Sequence, residues 1–178
     1  MGPVNIEIKA RCADHAPLRA ILEAHRARYI GQDHQVDTYF KVPDGRLKLR
    51  QGNIENSLIH YRRPDQDGPK QSDILITPVD PFHAESLKAI LTASAGVQVV
   101  VDKRRHIFFI DNVKFHLDKV DGLGTFVEIE AIDRRGKVGV EKLREQCEHF
   151  MQLLNIKEED LVARSYSDMI GEGASSEG

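Results

Sequence analysis

Ionised side chains occupy alternate positions in several short segments of this sequence. Lys48 and Arg50 alternate with leucines, so both project from one face of a strand, because successive side chains of a strand point to opposite sides. The same spacing recurs for basic residues at Lys103 and Arg105, and for acidic residues at Glu128 and Glu130. Each of these segments therefore carries charge of a single sign on one face.

Such segregated charge predicts two kinds of chemistry. Clustered lysine and arginine suit phosphate oxygens, to which arginine offers forked donors, and grouped carboxylates suit Mg²⁺ or Mn²⁺. The expected set has six basic and four acidic members: Lys9, Lys48, Arg50, Arg63, Lys103, Arg105, Glu7, Asp118, Glu128 and Glu130. Its net charge of +2 would balance a nucleoside triphosphate of about −4 that carries one Mg²⁺.

The alternative is that these residues lie on ordinary solvent-exposed faces of amphipathic strands. Exposed sheet faces usually mix neutral polar residues with scattered charges, whereas here nearly every polar position is ionised. If the sheet closes, the charges point into one cavity, and unpaired charges there cost several kcal/mol each unless water or ions compensate them. The pattern therefore favours a wet, ion-binding interior.

Composition limits the classes of protein that are compatible with the chain. It has 178 residues, of which 40% are hydrophobic and 30% charged, and a net charge of −3, so we expect a single domain over residues 1–170 and no generic binding to DNA. No apolar run approaches the roughly 20 residues that span a bilayer, and residues 1–9 carry charges where a signal peptide is apolar. A cytoplasmic protein without a membrane partner is expected, and a homodimer is compatible with the sequence.

The two cysteines, Cys12 and Cys147, form neither a disulfide framework nor a metal-ligand spacing. The eight histidines show no paired metal-ligand spacing either, and we expect them at the surface or at strand edges. His60 and His116 lie on predicted strands and could approach a ligand, but neither is selected as a site residue.

The elements that must position the charged residues are mostly strands. Period-two alternation and turn residues predict strands at 4–11, 36–42, 46–51, 57–63, 72–77, 97–110, 113–120 and 125–132. Helices are predicted after Asp14, from Pro81 to Gly96, and around residues 143–154, with a disordered tail at 171–178. About eight strands joined by hairpin-length turns favour an α+β fold, an antiparallel barrel-like sheet with helices packed outside.

At this point the sequence resembles the CYTH family, also called triphosphate tunnel metalloenzymes, and within it the class IV adenylate cyclase branch. The family hallmark is a Glu-x-Glu-x-Lys strand, and residues 5–9 (NIEIK) stand in its place. The resemblance continues in order over residues 4–170, through the segments 47–50 (LKLR), 103–105 (KRR), 117–118 (LD), 122–124 (GLG), 126–130 (FVEIE) and 164–166 (RSY).

The resemblance implies a closed eight-stranded antiparallel tunnel that binds a triphosphate and a divalent metal, Mg²⁺ or Mn²⁺. By position, the resemblance implies that Glu7, Glu128 and Glu130 bind the metal, and that Asp118 is either a metal ligand or a partner of such a ligand. It also implies that the phosphate is contacted by Lys9, Lys48, Arg50, Lys103 and Arg105. Arg63 is a further contact, or Arg62 in its place if the strand register slips by one residue. Lys9 and Glu128 are the expected catalytic residues, and Lys70 and Ser72 are additional contacts.

Two features leave the activity open. Asn5 replaces the first Glu of the hallmark, which removes one charge from the metal site. The sequence also does not show which phosphorus faces the nucleophile. Adenylate cyclase is the leading prediction, with an inorganic or thiamine triphosphatase next. A non-catalytic module that binds a triphosphate, polyphosphate or an RNA 5′ end is the alternative from another class.

Overall fold

Eight antiparallel strands close into a barrel in the computed structural model, which describes residues 3–175 and the side chains of residues 3–172. The strands are β1 (Val4–Arg11), β2 (Arg28–Phe40), β3 (Arg46–Gln51), β4 (Ser57–Arg62), β5 (Lys70–Pro78), β6 (Val97–Ile110), β7 (Val113–Val120) and β8 (Gly124–Asp133). Their order around the barrel is β1-β5-β4-β3-β2-β6-β7-β8, and β8 pairs with β1 to close it. The predicted α+β fold, a closed eight-stranded barrel, is confirmed.

The helices are α1 (Ala16–Ala24), α2 (Pro81–Ala95), α3 (Val140–Leu153) and α4 (Tyr166–Ser175), and a 3₁₀ turn spans Glu158–Asp160. Within residues 3–175, none of them is both long and apolar enough to cross a lipid bilayer. Asp80 starts α2 by accepting a hydrogen bond from the Phe82 amide, and Gly96 ends it with a φ of 84°.

Several boundaries differ from the sequence expectation by one residue or more. β2 begins at Arg28 rather than near residue 36, because polar residues on its inner side mask the apolar alternation. β5 begins at Lys70. Residues 171–175, expected in a disordered tail, continue α4, which the buried Tyr166 anchors at its start. The rest of that predicted tail, residues 176–178, lies outside the described residues.

The main apolar core lies outside the barrel, between the sheet and the helices α1 and α3. Ile6, Ile8 and Ala10 of β1 are at most 1% exposed and point outward to this core, so the intervening Glu7 and Lys9 point inward. The outward side chains of β7 and β8 join them, together with Leu22, Leu143 and Cys147 of the helices. Burying each large apolar side chain contributes about 1.5–3 kcal/mol, and this fixes which face of each strand is internal.

A second, smaller core closes one end of the barrel. Tyr166, at the start of α4, packs edge-on against Phe126 with ring centroids 5.0 Å apart, among inward side chains of β2, β4 and β6. The chain reaches this end alongside β1, where the Val162 amide donates to the Lys9 carbonyl at 2.9 Å. The C-terminal helix therefore covers one opening of the barrel.

Candidate active site

A cavity of about 570 Å³ occupies the interior of the barrel, and every strand contributes to its wall. Nine of the ten predicted site residues line it: Glu7, Lys9, Lys48, Arg50, Arg63, Lys103, Arg105, Glu128 and Glu130. The charged rows inferred from alternation thus converge on one enclosed space. Whether each residue binds phosphate or metal stays a prediction.

The choice between Arg62 and Arg63 is decided by position. Arg63 lines the cavity, is largely buried and forms an ion pair with Glu7 of β1. Arg62 points outward, where it donates to Asp44 at 2.6 Å, and its side chain is 60% exposed. Arg63 is therefore the basic residue that this segment presents to the interior.

Asp118 lies behind the wall rather than in it. Both of its carboxylate oxygens accept hydrogen bonds from Arg105, each at 2.7 Å, and Tyr166 donates a third at 2.8 Å. All three residues are buried, and charge-assisted bidentate pairs of this kind are strong and directional. The geometry favours Asp118 as the residue that holds Arg105 in place; a role as metal ligand stays a prediction.

Asp37 organises three of the predicted phosphate contacts, although the sequence analysis did not select it. It is fully buried, accepts two hydrogen bonds from Arg50 at 2.8 and 2.9 Å, and lies 2.8 Å from Lys103 and 3.3 Å from Lys48. Burial raises the pKa of Asp37, but these cations outweigh it and hold that pKa well below its usual range. One carboxylate therefore gathers three cations on the β2–β3–β6 wall.

Burial lowers the pKa of a lysine, whereas it raises the pKa of a carboxyl group. Desolvation lowers the pKa of Lys103 to about 7, and it also lowers the pKa of Lys9. The Lys9 ammonium lies 3.9 Å from the centre of the Tyr166 ring and 3.2 Å from the Arg164 carbonyl. A dianionic or trianionic ligand beside these groups would favour their charged forms.

Lys70 and Ser72, the two additional contacts suggested by the sequence, differ in their position relative to the cavity. Lys70 points inward but is fully buried behind the cavity wall, where it donates to the Ala163 carbonyl at 2.5 Å. Desolvation lowers its pKa to about 8. Ser72 does line the cavity, and its buried hydroxyl has no hydrogen-bond partner among the described residues.

The carboxylates of β1 and β8 face one another across the paired strands. Glu7 is opposite Glu130, and Lys9 is opposite Glu128. Burial raises the pKa of Glu128, but Arg105 and His116 outweigh this and hold it well below its usual range, so the carboxylate is ionised. The acidic side chains thus form a second, negatively charged wall, whereas the three cations around Asp37 make the first wall positive.

Asn5, at the position of the missing glutamate, belongs to this acidic wall. Its side-chain amide donates to Glu130 at 2.5 Å, while its carbonyl oxygen is buried with no partner among the described residues. The amide therefore replaces a charge repulsion with a hydrogen bond and still leaves one oxygen available to a ligand.

His116 is a member of the site that the sequence analysis did not select. It is 2% exposed, lines the cavity opposite Glu128 in the β7–β8 ladder, and has no hydrogen-bond partner for either ring nitrogen among the described residues. Burial, Arg105 and Lys114 lower the pKa of its imidazole. The alternation of Lys114, His116 and Asp118 was the available signal, since it places all three on the inner face of β7.

Glu55 is the second unselected acid, and it comes from the loop between β3 and β4. Its carboxylate lies 2.6 Å from Lys114 and 3.6 Å from Arg50. Asp33 positions the loop by accepting hydrogen bonds from the Ile54 and Glu55 amides, each at 2.9 Å. Loop residues have no periodic pattern, so the sequence offered no signal for Glu55.

One side of the cavity is apolar. Ile59 and Ile76 are paired across β4 and β5, and Ile74 and Pro78 continue the same inner face. Ile76 is 56% exposed, and Ile54 of the adjacent loop is 38% exposed, which puts both at an opening of the cavity. This apolar wall offers an uncharged surface beside the cationic cluster.

These residues fit a bound divalent cation. The orphaned Asn5 oxygen and the unpartnered His116 nitrogens line the same cavity as Glu128 and Glu130; oxygen donors suit Mg²⁺ and Mn²⁺, and imidazole suits transition-metal ions. His116, Asp118 and Glu128 can each offer one ligand atom such that the three atoms lie within 4.8 Å of one another. Because Asp118 is occupied by Arg105 and Tyr166, the accessible donors are those of β1, β7 and β8.

A closed antiparallel barrel with an ionised interior and helices on its outside defines the class of this protein. The chain belongs to the CYTH domain family, whose model matches residues 4–166. The family resemblance inferred from the sequence is confirmed.

Individual relatives are similar over nearly their full lengths. A candidate adenylate cyclase of Methanocaldococcus jannaschii is 25% identical over 182 residues, covering 94% of this chain and 99% of that protein. The PH1012 protein of Pyrococcus horikoshii is 28% identical, with a TM-score of 0.75 and coverage of 92% and 98%. A candidate adenylyl cyclase of Hippeastrum, described with a dominant triphosphatase activity, shares the fold at 15% identity, with a TM-score of 0.64 and coverage of 96% of both chains.

Proposed function

We propose that this protein is a divalent-metal-dependent enzyme that acts on a triphosphate, and that it is an adenylate cyclase, which converts ATP to cyclic AMP and pyrophosphate. The observation that carries the proposal is the cavity itself, in which a cationic cluster on β2, β3 and β6 faces a carboxylate wall on β1 and β8. A metal-bound polyphosphate needs both surfaces at once.

The charge of the site supports this ligand. Among the described residues, eight basic side chains and four carboxylates line the cavity, and Lys70, Asp37 and Asp118, buried behind the wall, bring the excess to three positive charges. A triphosphate of about −4 with one divalent cation has about −2. The complex would therefore be near neutral, which lowers the cost of burying it.

Each wall has a distinct role in the proposed reaction. Lys48, Arg50 and Lys103 bind phosphate oxygens, and Arg105, held by Asp118, stabilises charge on the group that is transferred. Glu128, Glu130 and Glu7 would hold the metal, which supplies Lewis-acid polarisation of the phosphates when bound. Phosphoryl transfer depends mainly on such positioning and charge stabilisation.

The apolar wall supports ATP over inorganic tripolyphosphate. Ile59, Ile74 and Ile76 line the cavity beside Lys48 and Tyr61, so an uncharged nucleoside can pack there while its phosphates reach the cationic cluster. In a cyclase the 3′-hydroxyl of that nucleoside attacks the α-phosphorus, and pyrophosphate leaves. Inorganic tripolyphosphate has no group that would use this surface.

Product analysis by ³¹P NMR tests the proposal. The protein is incubated with Mg²⁺ or Mn²⁺ and with ATP, tripolyphosphate or thiamine triphosphate in turn. Formation of cyclic AMP and pyrophosphate from ATP supports the cyclase, and release of orthophosphate indicates a triphosphatase. If no triphosphate is turned over, the proposal that the protein is an enzyme is rejected. Glu128→Gln should abolish turnover, whereas Glu141→Gln, on the outer helix α3, should leave it unchanged.

A non-catalytic triphosphate-binding module is the second candidate, and Asn5 is the observation that favours it. The Asn5 amide donates a hydrogen bond to Glu130 instead of adding a carboxylate to the metal side. Tight binding of tripolyphosphate without product, unchanged in Asn5→Glu, would support this module. Gain of turnover in that variant would instead identify an enzyme with a weakened metal site.

A further inference from the structure

His116 differs from most polar groups of the cavity because it is buried and its ring nitrogens have no hydrogen-bond partner in the described part of the chain. Its side chain is 3% exposed, and neither ring nitrogen has a hydrogen-bond partner among the described residues. Leaving a buried polar group unsatisfied costs about 1–3 kcal/mol. A ligand that binds to one of these nitrogens would remove that cost.

The neighbours of His116 identify the kind of ligand. Its Nδ1 lies 3.5 Å from Glu128 Oε2, and its Nε2 lies 3.9 Å from Glu130 Oε2. A neutral imidazole has one nitrogen with a free lone pair and one that donates a proton. A cation can therefore bind one nitrogen while the other donates to a carboxylate, which is the usual arrangement of a metal-ligating histidine.

Anionic ligands are less compatible with the same position. The carboxylates of Glu128 and Glu130 lie within 4 Å of the ring nitrogens, and they would repel a phosphate oxygen placed against this edge of the ring. Asp118, the third nearby acid, is already taken by Arg105 and Tyr166. The accessible donors around the ring are thus one imidazole nitrogen and the oxygens of Glu128 and Glu130.

We propose that His116 is a direct ligand of the divalent cation, together with Glu128 and Glu130, and that this mixed nitrogen and oxygen set makes the site prefer Mn²⁺ and similar transition-metal ions over Mg²⁺. Mg²⁺ favours oxygen ligands and keeps its water, whereas imidazole suits transition metals. The inference rests on the proposed function in that it concerns the cation of the same site.

Electron spin echo envelope modulation of bound Mn²⁺ tests the coordination directly. The 178-residue chain is loaded with Mn²⁺, alone and with a non-hydrolysable ATP analogue. Directly coordinated imidazole should give strong ¹⁴N modulation, which ¹⁵N-histidine labelling of the wild-type protein should convert to ¹⁵N modulation. Among the described residues His116 is the only histidine that lines the cavity, so this measurement needs no variant that might fail to fold.

Variants then assign the signal and the selectivity. His116→Gln should abolish the nitrogen coupling and weaken Mn²⁺ binding by about tenfold or more, with Mg²⁺ binding changed by less than about threefold in calorimetric titrations. His106→Gln is the matched control, because His106 lies on the outer side of β6 against Tyr29, with its Nδ1 2.7 Å from the tyrosine hydroxyl. It should retain both coupling and affinity.

The outcomes separate this inference from the proposed function. Mn²⁺ that binds without directly coupled nitrogen overturns the role of His116 and leaves a metal-dependent enzyme intact. Equal loss of Mn²⁺ and Mg²⁺ affinity in His116→Gln also overturns the selectivity claim. If neither cation binds, with or without the ATP analogue, the metal dependence of the proposed function fails as well.

Discussion

Lys103 lies against Asp37 inside the barrel, with its ammonium nitrogen 2.8 Å from Asp37 Oδ2, and both side chains are buried. Arg50 shares the same carboxylate oxygen at 2.8 Å. One carboxylate thus holds in place two of the cations that we propose as phosphate contacts. Positioning of this kind lowers the entropy cost of binding, and it makes the protonation state of Lys103 sensitive to the ligand.

Triphosphate binding should be coupled to proton uptake by Lys103. Since desolvation lowers its pKa to about 7, the side chain is mostly neutral at pH 8.5, and an adjacent polyanion should restore its charge. We expect uptake of close to one proton at this residue, and affinity that falls as pH rises above about 7. Calorimetry with tripolyphosphate at pH 8.5, in buffers of different ionisation enthalpy, measures the uptake.

Lys103→Arg is the control for this coupling, because arginine remains charged. It should take up about one proton fewer than wild type, with the remainder due to Lys9 and Lys70, whose pKa values are also lowered. The same depressed pKa of Lys103 means that the unfolded chain binds more protons between pH 7 and 10.5, so this residue's contribution to stability rises with pH there. Equal uptake in wild type and variant would contradict the assignment.

Removal of Arg105 should destabilise the fold as well as impair binding. Arg105→Ala leaves Asp118 as a buried carboxylate without its cation, which costs about 3–5 kcal/mol. The double variant Arg105→Ala, Asp118→Ala should recover part of that loss, and urea unfolding measures both. If the double variant is no more stable than Arg105→Ala, the buried pair is not what holds this part of the barrel together.

Asn5→Glu should make stability depend on metal. The new carboxylate would lie beside Glu130, where Asn5 now donates a hydrogen bond, so the metal-free protein should lose about 1–3 kcal/mol. Mn²⁺ should recover this loss, giving a larger metal-induced rise in Tm than in wild type. Asn5→Gln, which is neutral and similar in size to glutamate, should not show the larger rise. The same rise in both variants would attribute the effect to size rather than charge.

Ile76→Ser should separate nucleoside from phosphate recognition. Loss of apolar surface at the opening should weaken binding of an ATP analogue by about three- to tenfold and leave tripolyphosphate binding within about twofold. Leu75→Ser is the matched control, since Leu75 precedes Ile76 on β5, is 67% exposed and does not line the cavity. Equal weakening of both ligands by Ile76→Ser would show that the apolar wall does not bind the nucleoside.

The period-two alternation of the sequence determined which side chains face the interior. Once Ile6 and Ile8 are buried against the outer helices, Glu7 and Lys9 can only point inward, and the same logic places Lys103 and Glu128 there. Alternation also carried the signal for Asp37 and His116. Neither stands out in its own segment, because charge pairing and burial across strands cannot be read from one segment alone.

Only the tertiary structure decided which of these inward groups meet. Closure of β8 onto β1 and the register of β7 bring His116 to Glu128, and the return of the chain at α4 brings Tyr166 to Asp118. Asp118, predicted as a metal ligand or a partner behind one, accepts hydrogen bonds from Tyr166 and from Arg105. The local sequence fixes which way a side chain points, but its partners lie far along the chain, and their distances depend on how the whole barrel closes.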